Sequence, residues 1–338
     1  MIGIFAPILL VVLRIAQGIG VGGEWSGASI LVLEYAPQKR RGYYTAMVNS
    51  GEYIGVFVTT LLFTVLSARL SEPSFQSWGW RVPFLSMICG VAFSLVVRRK
   101  VDETPAFRAI ASEISKNVFP FRASLRAHAK TMTQVIGIKI FENASAYLII
   151  TFSVTYLSLV GGVPSRITTV GICLASAIAI VMIPLWGHVS DRIGRKPVFV
   201  VGAIFLIAFF WSFFELIGTR NTVWIWFAFT VSYAFGMAPM LAVEPSWFAE
   251  MFSTEFRFSG MGISTNLAAV LSGGFAPFIA TALLAIDRHE MRLILLYAAA
   301  LASISLATCI FAPETRGKNI MAFDIRSIST NSTLTRSR

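Results

Sequence analysis

Two long apolar segments, at 167–186 and 197–217, are joined by a short polar and basic segment at 187–197. Each apolar segment is long enough to cross a lipid bilayer, and the hydrocarbon interior offers loop backbone no hydrogen-bond partners. A connection this short therefore requires the two segments to form an antiparallel pair of membrane helices. The connection holds three cations, Arg192, Arg195 and Lys196. Because short loops rich in Lys and Arg stay on the cytoplasmic side, this segment also orients the rest of the chain.

The composition is that of a membrane protein. Apolar residues make up 56% of the chain and charged residues 13%, and the mean hydropathy is +0.72, far from the usual mixture of a soluble domain. The net charge of +11 does not indicate nucleic-acid binding, because the cations lie mainly at the ends of apolar segments. The cysteines, Cys89, Cys173 and Cys309, lie inside apolar segments without metal-ligand spacing. We therefore expect no metal site and no disulfide.

Nine apolar segments of spanning length predict an all-α polytopic membrane protein. They lie at 6–33, 43–67, 81–97, 132–159, 167–186, 197–217, 223–247, 260–286 and 292–312. Successive loops lie on alternate sides of the membrane. With 187–197 in the cytoplasm, the loops after residues 34, 98, 187 and 249 and the C terminus also lie there. Most of the 28 Lys and Arg residues fall in these segments, as the positive-inside rule requires. The predicted location is the cell inner (plasma) membrane.

An internal repeat divides the chain. Glu34 and Arg41 recur as Glu250 and Arg257 at the same spacing, each pair lying between two predicted helices. Parallel repeats of this kind build one large class of secondary transporters. A counterpart of 187–197 would fall upstream of residue 1, so we expect the first half to lack three helices. The predicted division is an incomplete N-terminal half at 1–97, a cytoplasmic linker at 98–131 with an amphipathic helix near 105–116, a six-helix half at 132–312, and a cytoplasmic tail at 313–338.

Ionisable side chains inside the predicted spans are the main functional candidates, because each costs about 2.5–3.5 kcal/mol at a helix centre unless it is paired or hydrated. In the first span Gln17 and Glu24 share a helix face, and Arg14 lies close to it. The others are Lys139, Glu142 and Asn143, which form an i, i+3, i+4 stripe, Glu244, which precedes Pro245, and Glu52. Structural ion pairs are the alternative to a solute or proton pathway for these residues.

Several motifs resemble those of the major facilitator superfamily, and within it the metabolite:proton symporters for organic acids, shikimate or betaine-type solutes. The motifs are Gly187-x-x-x-Asp191-Arg192-x-Gly194-Arg195-Lys196, Leu13-Arg14-x-x-Gln17-Gly18, Gly22-Gly23-Glu24-Trp25, Trp80-Arg81-Val82-Pro83-Phe84, and Glu250-x-Phe252 with Arg257-x-Ser259-Gly260. The nine predicted helices would correspond to helices four to twelve of that superfamily.

The resemblance implies a central cavity lined by helices one, four, seven and ten, and it assigns roles to the candidates. Arg14 and Lys139 would bind an anionic group, Gln17 and Asn143 would line the path, and Glu24, Glu142 or Glu244 would exchange the proton. The 187–197 loop would be a cytoplasmic gate formed by Gly187, Asp191, Arg192, Gly194, Arg195 and Lys196; the alternative is a plain positive-inside turn. Glu34–Arg41 and Glu250–Arg257 would be latches of the same kind.

The sequence thus predicts proton-coupled symport of a small organic solute, a carboxylate such as an oxoacid or shikimate, by a monomer in the bilayer. It predicts no cofactor beyond the proton gradient, no metal and no nucleic-acid partner. Two alternatives stay open, a truncated, non-transporting membrane remnant and a facilitator for sugars or other solutes. A membrane enzyme is disfavoured, because no nucleophile–base set or phosphate-binding loop is present.

Overall fold

A computed structural model describes residues 5–21, 23–100, 125–159, 161–286 and 291–319. These residues form helices joined by short turns and contain no strand, which confirms the all-α class. The helix expected near 105–116 and the tail beyond residue 319 lie outside the described residues. The α-helices are numbered here as α1 Phe5–Val21, α2 Glu24–Tyr35, α3 Arg41–Arg69, α4 Glu72–Ser77, α5 Val82–Lys100, α6 Ala129–Tyr147, α7 Ser153–Leu159, α8 Ser165–Ile193, α9 Arg195–Gly218, α10 Thr222–Val231, α11 Ala238–Met251, α12 Arg257–Ala268, α13 Ala276–Ile286 and α14 Arg292–Phe311.

The first predicted span, 6–33, is not one helix. It is divided into α1, which ends at Val21, and α2, which begins at Glu24. Glycine is a poor helix former, and four glycines fall between residues 18 and 23, which explains the break. Eight helices of the described residues are long and apolar enough to cross a membrane, and they match the other eight predicted spans.

Three of the long helices contain a π-helical segment. These segments are Leu148–Phe152 between α6 and α7, Ser232–Met237 between α10 and α11, and Ala269–Gly274 between α12 and α13. A π segment rotates the side chains that follow it relative to those before it. The residues of these three helices therefore do not follow a single helical period, which the sequence pattern did not predict.

Helix α11 is the centre of the packing. Every residue from Ala238 to Met251 is buried, including the polar ones. It packs against α2, α3, α8 and α9. By contrast, α5 keeps large apolar side chains such as Phe84, Ile88 and Phe93 more than half exposed, as expected for a helix that faces lipid.

Helices α3 and α8 cross at a pair of glycines, Gly42 and Gly187. A Cβ atom added to Gly187 would lie 2.6 Å from the Gly42 carbonyl oxygen, and one added to Gly42 would lie 2.7 Å from the Gly187 carbonyl oxygen. Backbone atoms cannot move aside as a flexible side chain can, so only glycine permits this approach.

We expect Gly42→Ala to destabilise the protein by about 1–3 kcal/mol, because the methyl group would force the two helices apart. Gly51 lies on the same helix with open space around its Cα, so Gly51→Ala is the matched control and should leave stability unchanged or slightly raised. Apparent melting temperatures of the purified variants in detergent test this. Equal melting temperatures for the two variants would contradict the close crossing.

Candidate functional site

Lys139 lies at the centre of the site, on α6, and its ammonium group contacts two carboxylates. Lys139 Nζ is 2.9 Å from Glu142 Oε2, one turn along the same helix, and 2.6 Å from Glu244 Oε2 on α11. Glu142 is 4% and Glu244 0% exposed. Buried charges need paired partners, and here one ammonium serves two carboxylates. The triad of Lys139, Glu142 and Glu244 therefore carries a surplus negative charge that one proton would neutralise.

The second oxygen of Glu244 lacks a contact of its own. Among the described residues, the buried Glu244 Oε1 has no hydrogen-bond partner. A buried ionised oxygen without a partner is costly, whereas a protonated one no longer carries the charge.

A side chain from α14 bonds to the helical turn that carries Lys139. The Ser305 hydroxyl donates to the Gly137 carbonyl oxygen at 2.7 Å and accepts from the Phe141 amide at 3.1 Å. In a regular helix this carbonyl and this amide would bond to each other. Ser305 therefore joins α14 to the turn of α6 that carries Lys139.

A hydrogen-bonded chain connects α2, α3 and α11 beside the triad. Trp25 Nε1 donates to Asn49 Oδ1 at 2.6 Å, and Asn49 Nδ2 donates to the Leu241 carbonyl oxygen at 2.7 Å. That carbonyl lacks its usual helical donor, because the residue four positions on is Pro245. The Trp25 ring also lies 5.3 Å from Lys139 Nζ, within cation–π range. Asn49 therefore satisfies the carbonyl that the proline leaves free and joins the helix of Glu244 to α3.

A cavity of about 800 Å³ opens beside these groups, a volume suited to a small organic molecule. Helices α2, α3, α6 and α11 and residues 265–269 contribute to its wall. Its polar and aromatic lining consists of Glu24, Trp25, Asn49, Glu52, Tyr53, Lys139, Glu142, Asn143, Tyr147, Thr151, Thr265 and Asn266. Glu244 lies behind this wall, in contact with Lys139.

The other pathway candidates have different positions. Glu24 and Asn143 line the cavity, and Asn143 Nδ2 is buried without a hydrogen-bond partner among the described residues. Gln17 is exposed on α1 and is not part of the cavity wall. The side chain of Arg14 lies outside the part of the chain that the structure describes. The structure thus brings together Glu24, Lys139, Glu142, Asn143 and Glu244. Gln17 lies elsewhere.

Asp191, on α8, binds the N-terminus of α3, the helix that also carries Asn49. Its two carboxylate oxygens accept hydrogen bonds from the backbone amides of Gly42 and Tyr43 at 2.8 and 2.9 Å. Arg195 Nη1 donates to Asp191 Oδ1 and to Ser190 Oγ, both at 2.8 Å. A carboxylate is favourable at a helix N-terminus, because the amides there lack partners within the helix and the helix dipole is positive at this end. Asp191 therefore ties α8 to the start of α3.

The predicted gating loop at 187–197 is almost entirely helical, which corrects the prediction that a loop of this length joins the two helices. Helix α8 continues to Ile193 and α9 begins at Arg195, so Gly194 alone separates them. Its φ of 114° is a backbone conformation that residues other than glycine rarely adopt. Within this segment Arg192 is exposed, whereas Arg195 is 1% exposed.

In each predicted latch the acid pairs with a cation from a different segment, and one of these pairs, Arg257–Glu34, links the two copies of the repeat. Arg257 Nη1 is 2.9 Å from Glu34 Oε1, and Arg195 Nη2 is 3.6 Å from Glu250 Oε1. Among the described residues no ion pair joins Glu34 to Arg41 or Glu250 to Arg257. The prediction of internal pairs was wrong, because the ends of α2 and α11 lie next to each other and each acid meets a cation from another segment.

The segment at 313–318, after the last helix, completes this end of the protein. The Glu314 carboxylate accepts hydrogen bonds from the backbone amides of Arg195 and Lys196, both at 3.0 Å, and so caps α9. The Thr315 hydroxyl donates to Glu250 Oε2 at 2.6 Å. Lys318 Nζ donates to the Glu250 carbonyl oxygen at 2.8 Å, and burial together with nearby Arg257 holds the pKa of Lys318 below its usual value. We call the contacts of Asp191, Arg195, Glu34, Arg257 and Glu314 the gate cluster.

Sequence reasoning missed three residues of these networks. Asn49 and Ser305 are uncharged, and polar side chains of this size are common in membrane helices, so no signal marks them. Glu314 follows the last apolar segment, where an acid is expected to be solvated. The one available signal was Pro245, which has no amide to bond to the carbonyl four residues earlier. That carbonyl requires a donor from another helix, and this donor is Asn49.

Comparison with known proteins identifies the family. The sequence profile described as "Sugar (and other) transporter" matches residues 1–118 and 116–326. The chain is 30% identical over 318 residues to the shikimate transporter of Escherichia coli K12, covering 93% of this chain and 72% of that one. It is 31% identical over 329 residues to the proline/betaine transporter of Salmonella typhimurium, covering 94% of this chain and 65% of that one.

The chain belongs to the sugar (and other) transporter family of the major facilitator superfamily. Among solved structures, the fold is similar to that of the proton:xylose symporter XylE bound to 6-bromo-6-deoxy-D-glucose, with a TM-score of 0.67, 18% identity, and coverage of 92% of this chain and 72% of that one. The protein is thus a multi-pass membrane protein of a family that transports small solutes. In this family member, no group of three or more His, Cys, Asp or Glu residues within the described ranges could hold a metal ion.

We expect Asn49→Ala to destabilise this transporter-family protein by about 1–3 kcal/mol, because it leaves the Leu241 carbonyl and Trp25 Nε1 without partners. In a Pro245→Ala background the new amide at residue 245 can bond to the same carbonyl, so the cost of Asn49→Ala should fall by about 1 kcal/mol. A double-mutant cycle on unfolding in detergent measures this coupling, and the loss at Trp25 cancels in it. An unchanged cost of Asn49→Ala in the Pro245→Ala background would contradict the role of Asn49 as the donor to the Leu241 carbonyl.

Proposed function

We propose that this protein is a proton-coupled symporter of a small organic solute that carries a carboxylate. The observation that carries the proposal is the sharing of Lys139 between Glu142 and Glu244 at 2.9 and 2.6 Å. With both acids ionised, the two carboxylates already outweigh the single charge of the ammonium, so a third anion is repelled. A solute carboxylate can bind Lys139 only after one acid has lost its charge.

Protonation of Glu244 releases that contact. The proton removes the surplus charge of the triad and weakens the pull on Lys139, so the ammonium can turn toward the cavity and bind the solute carboxylate. Once the solute is bound, it replaces the charge of Glu244, and the acid is stable in its neutral form. Each ligand therefore raises the affinity for the other, as thermodynamic linkage requires for symport.

The gate cluster and the cavity lie at different depths along α3. Gly42 at the gate and Glu52 at the cavity are ten residues apart, or about 15 Å along a helix. The contacts from Asp191 to α3 and from Arg257 to Glu34 close one end of the path. We infer that they break when the other end closes, so that the cavity is exposed to the two sides of the membrane in turn.

The orientation and organisation are part of the proposal. The distribution of Lys and Arg supports a cytoplasmic position for the gate cluster, in the cell inner membrane. We place the boundary between two helical halves within 98–131, and the protein acts as a monomer without a cofactor other than the proton gradient.

Glu244→Gln should abolish the response of solute uptake to a pH gradient, because the amide cannot take up or release the proton. Uptake of labelled shikimate and 2-oxoglutarate into proteoliposomes, with and without an inward proton gradient, measures the effect. Exchange of labelled for unlabelled solute across the membrane should continue in this variant. Glu72 is exposed and does not line the cavity, so Glu72→Gln is the control and should behave as the wild type. A normal pH response in Glu244→Gln would refute the assignment.

Asp191→Ala should open the gate end, because α3 loses the carboxylate that binds two backbone amides of its first turn. Spin labels at Lys39 and Ile193, both exposed, report the separation of this end in a cysteine-free background. We expect the distance distribution to shift to longer values in Asp191→Ala and to stay unchanged in Glu255→Ala, which removes an exposed acid from the turn before α12. Identical distributions in wild type and Asp191→Ala would contradict the gating role.

A further inference from the structure

A second cavity, of about 550 Å³, lies at the end of the helix bundle opposite the gate cluster. Helix α9 begins at Arg195, in the gate cluster, and ends at Gly218, which lines this cavity. The two residues are roughly 35 Å apart along the helix. Helix α14 runs in the opposite direction, and its first residue, Arg292, also lines the cavity. The cavity beside Lys139 and this one have no lining residue in common, so a ligand here would be distinct from the solute.

The wall of this cavity belongs to a surface that faces lipid. Along α9, Ile204 is 53% and Trp211 58% exposed, and their spacing of seven residues places them on the same face of the helix. On α14, Leu296 is 64% exposed one turn after Arg292. Trp211 and Tyr156 line the cavity, and Trp and Tyr are enriched where membrane helices meet the lipid headgroups. The cavity therefore lies at the level of the headgroups, beside the lipid chains.

Glu215 is an acid on this lipid-facing surface. It lies one turn after Trp211 on the same face of α9, is exposed, and lines the cavity. Its carboxylate makes no hydrogen bond or ion pair with any residue that the structure describes. It is three residues from the end of α9, about 4.5 Å along the axis, and so reaches the headgroup layer. A carboxylate at such a position is stabilised by a cation, and phospholipid headgroups supply ammonium groups there.

Arg292 provides the opposite charge on the other wall of the cavity. Its side chain is exposed, and an arginine has five N–H donors in a planar arrangement that fits a phosphate. It can therefore bind a phosphate in addition to the contacts that it makes within the protein. The cavity thus presents an acid and a base at headgroup level, as a headgroup with one ammonium and one phosphate requires. Its volume falls within the range of small-molecule sites.

We propose that this cavity binds the headgroup of phosphatidylethanolamine. Glu215 accepts hydrogen bonds from the primary ammonium, Arg292 binds the phosphate, and the acyl chains lie along the exposed apolar faces of α9 and α14. A primary ammonium fits better than a trimethylated one, because an ionised carboxylate only accepts hydrogen bonds and a trimethylated nitrogen has none to donate. The inference adds a lipid site to the protein and does not rest on the proposed transport function.

A series of lipids with the same acyl chains and the same charge isolates the role of the ammonium. Phosphatidylethanolamine, its monomethyl and dimethyl derivatives and phosphatidylcholine lose N–H donors one at a time while the headgroup stays zwitterionic. Native mass spectrometry of the delipidated full chain, with pairs of these lipids added in equal amounts, measures which lipid the protein retains. We expect the wild type to prefer phosphatidylethanolamine over phosphatidylcholine by about threefold, the size expected of an exposed charged contact, with the methylated derivatives in between.

Variants of the two charged residues assign that preference. Glu215→Gln should reduce it to less than about 1.5-fold, because the charged acceptor is lost, and Glu215→Asp should retain part of it. Arg292→Gln should weaken the retention of all these lipids and of phosphatidylglycerol, because all of them carry the phosphate. Arg69 and Glu72 are exposed charged residues at the same end of the bundle that do not line the cavity. Arg69→Gln and Glu72→Gln are therefore the matched controls and should behave as the wild type.

The apparent melting temperature of each variant shows whether it is folded. Equal retention of the two lipids by the wild type, a preference for phosphatidylcholine, or an unchanged preference in Glu215→Gln would overturn the inference. Loss of the preference in Arg69→Gln or Glu72→Gln but not in Glu215→Gln would do the same, because it would place the lipid elsewhere. These measurements need no solute and no proton gradient, so their outcome is separable from that of the symport experiments.

Discussion

The ion pair that Lys139 makes with Glu142 and Glu244 is the interaction on which the site depends. Moving a charge from water into a membrane helix is unfavourable, and two carboxylates with one ammonium are more unfavourable than a neutral pair. The fold compensates with further contacts, the Trp25 ring near Lys139 and the close packing of α11 around Glu244. The proposed proton coupling depends on the remaining surplus charge, which a neutral pair would lack.

Helix ends carry the second set of constraints. At α3 the free amides are satisfied by Asp191, and at α9 by Glu314. Both carboxylates come from segments remote in sequence, so each cap is also a contact between different parts of the chain. Such contacts are individually modest, about 0.5–2 kcal/mol for a helix cap, which is compatible with the opening and closing that we propose for this end. The buried pair of Arg257 and Glu34 adds a charged contact at the same end.

Much of the fold follows from the apolar segments, because a bilayer admits few alternatives to a helix. Eight of the nine predicted spans correspond to membrane-length helices. The exceptions have local causes. The glycines around residues 18–23 divide the first span, and the helical run from α8 to Gly194 removes the loop expected at 187–197. In the site, the spacing of Lys139 and Glu142 predicted their contact, whereas nothing in the sequence pattern paired Lys139 with Glu244, which is more than a hundred residues away.

By itself, the sequence determined that the chain crosses a membrane as helices, and it determined which ionisable residues lie inside those helices, since hydropathy and helical period are local properties. Only the tertiary structure decided the partners of these residues. Glu34 meets Arg257 and not Arg41, Asn49 meets the carbonyl left free by Pro245, and Glu52 lines the cavity. The physical reason is that a buried charge or carbonyl requires a partner but does not specify which one. That choice depends on which helices the packing brings within about 3 Å, the length of a hydrogen bond.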